Sequence, residues 1–345
     1  MDNITHTITG VALSQAGLKR FGLGTYPTWL LILGANGPDI DVFAGFGGNG
    51  ARYLQVHRAA THSFVGAPLV AITCAAVIWL FHRKYRRTSG RTSSKVEPYP
   101  WLNSFLLALA GVLSHVAMDF VTPYGTRLFW PFSSARLAWD IYPVVDLWVL
   151  PVILVVILSP FFFRLISEEI GARKTSFRPA AITVLVILVL FGCVRFVSHR
   201  RAMAMLDSFV YRGREAQRFS AFPDSSTPFL WHAVLDTGAT LEEADVEVLK
   251  EFDSTQTHSF YPPEPSPAID AARRTDVAQI FLEFAEYPWT YMERREDGYE
   301  VVFRDLRYEY ATLGLRKGAV ARVRLDDNFN VLKQQFSFRD SDPVR

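Results

Sequence analysis

The chain has 345 residues, 50% of them hydrophobic and 20% charged, with a mean hydropathy of +0.12. That is too long for one small domain and too apolar for an intrinsically disordered chain. The net charge of +2 hides a division, because up to Leu206 there are 19 Lys+Arg against 9 Asp+Glu, and from Asp207 onward 17 against 25. This excludes one uniform soluble globule and predicts an α-helical membrane bundle over residues 1–200 followed by a soluble α+β domain over residues 207–345.

In chain order, Met1-Asp-Asn-Ile-Thr-His6 lacks the basic region of a cleavable signal peptide, so residue 1 is expected to belong to the working protein. Ile4–Leu18 and Tyr26–Phe43 are apolar stretches that also hold polar residues, separated by Lys19, Arg20 and a turn with Gly22 and Gly24. They predict an N-terminal helical hairpin packed inside a bundle. Four longer runs follow: Phe64–Phe81, Trp101–Met118, Leu147–Phe163 and Pro179–Val194, the last lengthened if Arg195 snorkels. A span needs roughly 20 apolar residues, or about 17 at the short end, and all four qualify. Cys74 and Cys193 both lie in apolar runs and offer neither a disulfide framework nor a thiolate metal site.

With the chain running up and down, one side receives Lys19, Arg20, Arg83, Lys84, Arg86, Arg87, Arg91, Lys95, Arg164, Arg173, Lys174 and Arg178. The other receives Arg52, Arg58, Arg127 and Arg136 before the last span. Arg195, Arg200 and Arg201 argue the other way, but the majority puts the first side in the cytoplasm. The expected location is the inner (cytoplasmic) membrane, multi-pass, with the C-terminal domain outside.

The polar residues of the membrane part gather opposite those basic loops. They are Asp2 and His6, Asp39 and Asp41 in Asn36-Gly-Pro-Asp-Ile-Asp41, and His57, Arg58 and His62 before the first long span. His115 and Asp119 follow at the exit of the next span, then Thr122-Pro-Tyr-Gly125, Asp140 and Asp146. Imidazole nitrogens and carboxylate oxygens are the ligands of zinc and similar ions, and a cation compensates carboxylates that otherwise repel one another. His115 and Asp119, four apart, share one helix face. Other readings stand beside this one: Asp39 as a turn or helix cap, Arg58 as the partner of a carboxylate or lipid headgroup, Asp140 and Asp146 as loop acids.

These motifs in order resemble the YdjM/YbcI family, bacterial and archaeal inner-membrane proteins described as membrane-bound metal-dependent hydrolases. The resemblance covers roughly residues 1–165, and Pro223, Pro228 and Trp231 resemble the start of that family's longer C-terminal extension. More distantly, His6, Asp39, His62 and His115-x-x-x-Asp119 are similar to part of the ligand order of zinc-dependent phospholipases C. That likeness implies Asp39, His62, His115 and Asp119 around one zinc, with His6 and Asp119 serving a second. The later His and Glu ligands of those enzymes have no counterpart here.

The implied reaction is hydrolysis of a phosphoester, such as a lipid at the membrane surface, by metal-activated water. Asp39 would orient the water or act as base, with His57 an alternative proton carrier. Arg58 offers a fork for phosphate oxygens, and Tyr124 joins it as a substrate-binding residue. The alternative is a non-enzymatic membrane protein that binds or transports a divalent ion. A third reading is a scaffold stapled by a closed metal shell. No nucleic-acid module is present, and oligomeric state is open.

From Asp207 on, Phe229–Leu235, Tyr299–Tyr310, Ala319–Leu325 and Phe329–Phe338 read as strands, the last two joined at Asp326-Asp-Asn328. Val277, Ile280, Phe281, Phe284 and Ala285 have helical spacing, and Pro262–Pro267 is a stiff loop. His232 and His258 are expected to be structural or exposed.

Overall fold

The structure is a computed structural model that describes residues 1–21, 26–45, 50–88, 99–169, 176–308, 311–312, 315–316 and 318–338, the side chains of 85–88, 165–169, 311–312 and 315–316 excepted. The glycine turn at Gly22 and Gly24 lies outside the described residues, as do Arg91, Lys95, Arg173, Lys174 and the side chains of Arg86 and Arg87. Two compact units result: Met1–Asp41 with Arg58–Cys193, and Val42–His57 with Val194–Arg345. The stretch 42–57, which the sequence assigns to the membrane part, clusters with the second unit.

The first unit is helical: α1 Asn3–Ala16, α2 Tyr26–Asn36, then, beyond the intervening α3 of the second unit (Ala51–Val56), α4 Gly66–Thr88, α5 Trp101–Phe120, α6 Val149–Glu169 and the start of α7 Arg178–Asp207. Asp2 caps α1 by accepting from the Ile4 and Thr5 amides at 3.0 and 2.9 Å. Asp146 caps α6 in the same way, through Trp148 and Val149. Both acids therefore take the capping role.

Among the described residues, three helices are long and apolar enough to cross a membrane: α4 over Gly66–Lys84, α5 and α7. The remaining expected span, Leu147–Phe163, corresponds to α6, whose apolar stretch Val149–Arg164 is shorter. Leu69, Leu80, Val155, Val189 and Leu190 stay exposed, which suits helices that face lipid.

Helix α2 is the hub, packing against α1, α4 and α5. Its seam with α5 is backbone on backbone. A Cβ at Gly34 would lie 2.3 Å from the Ala108 carbonyl oxygen, and one at Gly111 would lie 2.7 Å from that of Leu31. In lipid the hydrophobic effect does not drive helices together, so such close van der Waals contact between small residues carries the association. Leu30, Leu31, Ala71, Ala108 and Val112 fill the core beside the seam.

In the second unit α7 runs on to Asp207, and its last part is core rather than span. Ala202 and Leu206 pack with Tyr211, Trp231 and Val246. Arg195, whose snorkelling would have lengthened the span, is fully buried, with Nη2 donating to the Asp224 carbonyl at 3.0 Å. Trp231 Nε1 donates to Ser198 Oγ, which donates to the Pro228 carbonyl. The Pro228 and Trp231 of the sequence motif thus anchor the domain to the end of α7.

Two antiparallel sheets follow. The first comprises β1 Arg218–Pro223, β2 Leu230–Asp236, β3 Leu241–Glu247 and β4 His258–Phe260, in that order. After α8 Pro267–Arg273 and α9 Asp276–Phe284 come β5 Pro288–Arg295 and β6 Gly298–Asp305. A two-residue pair, β7 Ala311–Thr312 and β8 Leu315–Arg316, precedes β9 Ala319–Leu325 and β10 Val331–Ser337. The second sheet has the order β10-β9-β6-β5 and carries α8 and α9, with α3 against α9. The expected strand at Tyr299–Tyr310 ends at Asp305 and passes into a 3-10 turn, Leu306–Tyr308, while Tyr310 lies outside the described residues. His232 is buried between Glu243 (2.7 Å) and Asp245 (3.3 Å), and His258 is exposed.

Gly34→Ala is expected to destabilise the first unit by about 1–3 kcal/mol, because its Cβ meets backbone that cannot move aside. A lowered thermal midpoint of the purified chain in detergent is the check.

Candidate metal centre

Four segments supply the centre. His6 lies in α1, and Asp39 and Asp41 in the 3-10 stretch Gly37–Gly45 that follows α2. His62 ends a short 3-10 turn, Ala60–His62, just before Ser63, whose Oγ accepts from the Gly66 amide at the start of α4. His115 and Asp119 occupy the last two turns of α5, with both side chains fully buried.

Four donor atoms converge: Asp39 Oδ1, His62 Nε2, His115 Nε2 and Asp119 Oδ2, all within 4.8 Å of one another. The two imidazole nitrogens are 3.1 Å apart. His62 Nε2 lies 3.6 Å from Asp39 and 3.3 Å from Asp119, and His115 Nε2 lies 3.4 and 3.3 Å from the same two. Donors bound at 2.0–2.2 Å in a tetrahedron around zinc stand about 3.3 Å from each other. Five of the six edges therefore have the length that a small tetrahedral cation imposes.

The surrounding hydrogen bonds aim these atoms inward. His115 Nδ1 is 2.7 Å from the Ala35 carbonyl, which can only accept, so Nδ1 carries the proton and Nε2 presents its lone pair. His62 Nδ1 lies 3.0 Å from Thr61 Oγ1 and 3.4 Å from Asp41 Oδ2. Asp41 is itself held by the Arg58 amide (3.0 Å) and Thr61 Oγ1 (2.8 Å). Asp119 Oδ2 is buried without a hydrogen-bond partner among the described residues, a costly state for a carboxylate unless a cation faces it.

Outside the spans, burial works against the ionised form of Asp39, but the His115 and His62 hydrogen bonds hold its carboxyl well below the usual range. Burial likewise opposes charge on His62, yet the carboxylates of Asp119, Asp39 and Asp41 around its ring override it and raise its pKa to about 10. Both directions say that the middle of the cluster favours positive charge. Burial lowers His6 to about 4, leaving a neutral ring stacked on His115 at 3.9 Å.

The other oxygen of Asp119 has its own partners: the Arg58 guanidinium, whose Nη2 is 2.9 Å from Oδ1, the Met1 amine, and the neutral His6 ring, whose Nε2 is 3.3 Å away. Arg58, buried and with φ of 57°, also donates through Nη1 to Thr122 Oγ1 at 2.7 Å, and its guanidinium carbon stands 4.9 Å from the Tyr124 ring.

The first unit thus contains every predicted site residue except His57. Asp39, His62, His115 and Asp119 form the donor set, His6, Arg58 and Tyr124 line it, and His57 falls in the second unit, its ring stacked on Tyr53 at 4.7 Å. Asp41 is the residue the sequence reading undervalued: it is named there as part of the polar face but given no role. The signal was its place two residues after Asp39 in one motif.

A membrane-type helical unit with a buried His/Asp centre defines the class. The chain belongs to the YdjM inner membrane protein family, whose family model matches residues 1–202. The YfhP C-terminal alpha/beta plait domain matches residues 267–341. An uncharacterized protein YfhP of Bacillus subtilis (strain 168) is 24% identical over 322 residues, which cover 89% of this chain and 87% of that protein. No solved structure matches, and the likeness to zinc-dependent phospholipases C rests on residue order alone.

Asp41→Asn is expected to weaken metal affinity about 10–100-fold by loosening His62. Asp146→Asn, at an acid that is not among the four donors, is expected to leave affinity unchanged. Metal titration of both purified variants is the measurement.

Proposed function

We propose that this chain is a membrane-embedded hydrolase that uses one divalent ion, zinc by donor type and spacing, to cleave a phosphoester at the membrane surface. The observation that carries the reading is the set of four donors within 4.8 Å of one another, three of them buried, with Asp119 Oδ2 facing two imidazole nitrogens at 3.3 Å. Such an ion supplies Lewis acidity and lowers the pKa of water.

The residues of the chain do the rest. Asp39 is the most exposed of the four donors, at 13% of its side chain, and so is placed to orient water and accept its proton. His115, Asp119 and His62 stay closed to solvent. Arg58, whose Nε has no hydrogen-bond partner among the described residues, provides positive charge for phosphate oxygens beside Tyr124. Because the Arg58 guanidinium already occupies the Oδ1 side of Asp119, a second ion there would meet like charge, which favours one metal over two. Transport calls for ligands near the middle of a span, whereas His115 and Asp119 sit in the last turns of α5. That placement supports a one-sided pocket.

Metal analysis of the purified chain, with a panel of phosphodiesters and phospholipids, tests the reading. His115→Ala and Asp119→Ala are expected to lose both metal and turnover; metal retained in both variants, or no turnover by metal-loaded chain, overturns it. The same reading places the centre on the extracytoplasmic face. In a Cys193→Ala background, Ser133→Cys in the α5–α6 loop is expected to react with an impermeant maleimide on intact cells, and labelling only after lysis reverses the orientation.

A further inference from the structure

The segment between α5 and α6 has a construction that the metal centre does not use. It contains no helix and no long strand, yet it is clipped at its base: Thr126 and Leu137 exchange both backbone hydrogen bonds at 2.9 Å. Between them the chain makes an excursion whose far end is aromatic and bare. Phe132 is 87% exposed and Phe129 52%, with Trp130 between them also exposed. Phe129 leans on Phe64, itself exposed and two residues ahead of α4, with ring centroids 5.5 Å apart.

The base of the excursion is cationic. Arg127 and Arg136 stand just inside the clip, and the Arg136 guanidinium carbon lies 4.8 Å from the Tyr124 ring, which Arg58 approaches at 4.9 Å. The Arg127 amide donates to the Arg58 carbonyl at 2.9 Å. Burial raises the pKa of the Tyr124 hydroxyl, while Arg136, Arg58 and Arg127 pull the other way and Asp41 opposes them. Three guanidiniums therefore share the surroundings of one buried phenol.

Chain continuity fixes the level of this arm. Candidate span α5 ends at Phe120, α6 starts at Val149 directly after exposed Trp148, and Phe64 precedes candidate span α4. Exposed Trp and Phe where apolar helices end are the composition of a membrane–water interface, and arginines beside them suit lipid phosphates. We propose that the excursion Thr126–Leu137 is an interfacial arm: its aromatic tip seats in the lipid headgroup layer, and Arg127 and Arg136 join Arg58 in gripping the phosphate of an anionic lipid. The arm gives the hydrolase reading its substrate class and rests on that reading for what becomes of the lipid.

The test uses the full chain in nanodiscs. Trp130 emission, taken as the difference between wild type and Trp130→Phe, is expected to be quenched by lipids brominated near the headgroup end of the acyl chain. Phosphatidic acid retained through purification, measured by native mass spectrometry, is expected to fall about tenfold or more in Arg127→Gln/Arg136→Gln, the loss of two charge-assisted contacts. Metal content of that variant should match wild type, and Arg127→Lys/Arg136→Lys should recover part of the lipid.

Equal lipid retention in the glutamine variant overturns the proposal. So does Trp130 quenched only by aqueous iodide, or protected from both quenchers by a second copy or another protein. Inorganic phosphate that displaces the lipid at equal concentration marks a free-phosphate site and also overturns it. Lipid retention requires neither metal nor turnover. A chain that grips phosphatidic acid but holds no metal sinks the hydrolase reading and leaves the arm standing, and intact metal and turnover without lipid retention do the reverse.

Discussion

The burial of Asp119 is the constraint on which the first unit depends. A carboxylate with no exposure to water, one oxygen facing two histidines and the other facing Arg58, cannot be left uncompensated without a penalty of several kcal/mol. Its neighbours answer that penalty from separate directions: α1 through His6, the turn before α4 through His62 and Arg58, and α5 itself through His115, while Asp39 adds a second carboxylate to the same imidazoles. Those elements reach one another because α2 and α5 touch through Gly34 and Gly111, where a side chain would hold the backbones apart. The carbonyl that orients His115 belongs to Ala35, one residue past Gly34, so the packing seam and the ligand geometry are set in the same turn of helix.

Much of the centre was legible in the sequence because its ligands travel in short motifs. Spacing of four puts His115 and Asp119 on one helix face, and chain alternation puts the remaining His and Asp residues at the same end of the spans. What spacing leaves open is the division of labour among similar acids. Asp2 and Asp146 share the polar face with Asp39, yet their oxygens are taken by the amides of their own helices. Asp41 differs from Asp39 only by which side of His62 it meets: Nδ1 rather than Nε2. A three-dimensional turn decides that, and no periodicity records it.

The second unit was less legible for a related reason. The hydrophobic runs at β2, β9 and β10 announce strands, but β3 reads Leu241-Glu-Glu-Ala-Asp-Val-Glu247 and hides its alternation under four acids. Only Leu241, Ala244 and Val246 of that strand are apolar, and Glu242 is buried because Thr240, Thr257 and Ser259 all donate to it. Likewise Arg195 follows an apolar run and suggests the water-facing end of a span, when in fact a backbone carbonyl of the following domain receives it. Polar side chains satisfied inside a fold look the same in sequence as polar side chains in water.

The donors of the centre come from segments spread between residues 39 and 119, with no covalent link among them. An ion held by all four acts as a reversible cross-link that closes large loops of chain, and such closure constrains the unfolded ensemble most when the loops are long. With an ion bound, folding and loading would form one equilibrium, in which the unloaded bundle is the looser one.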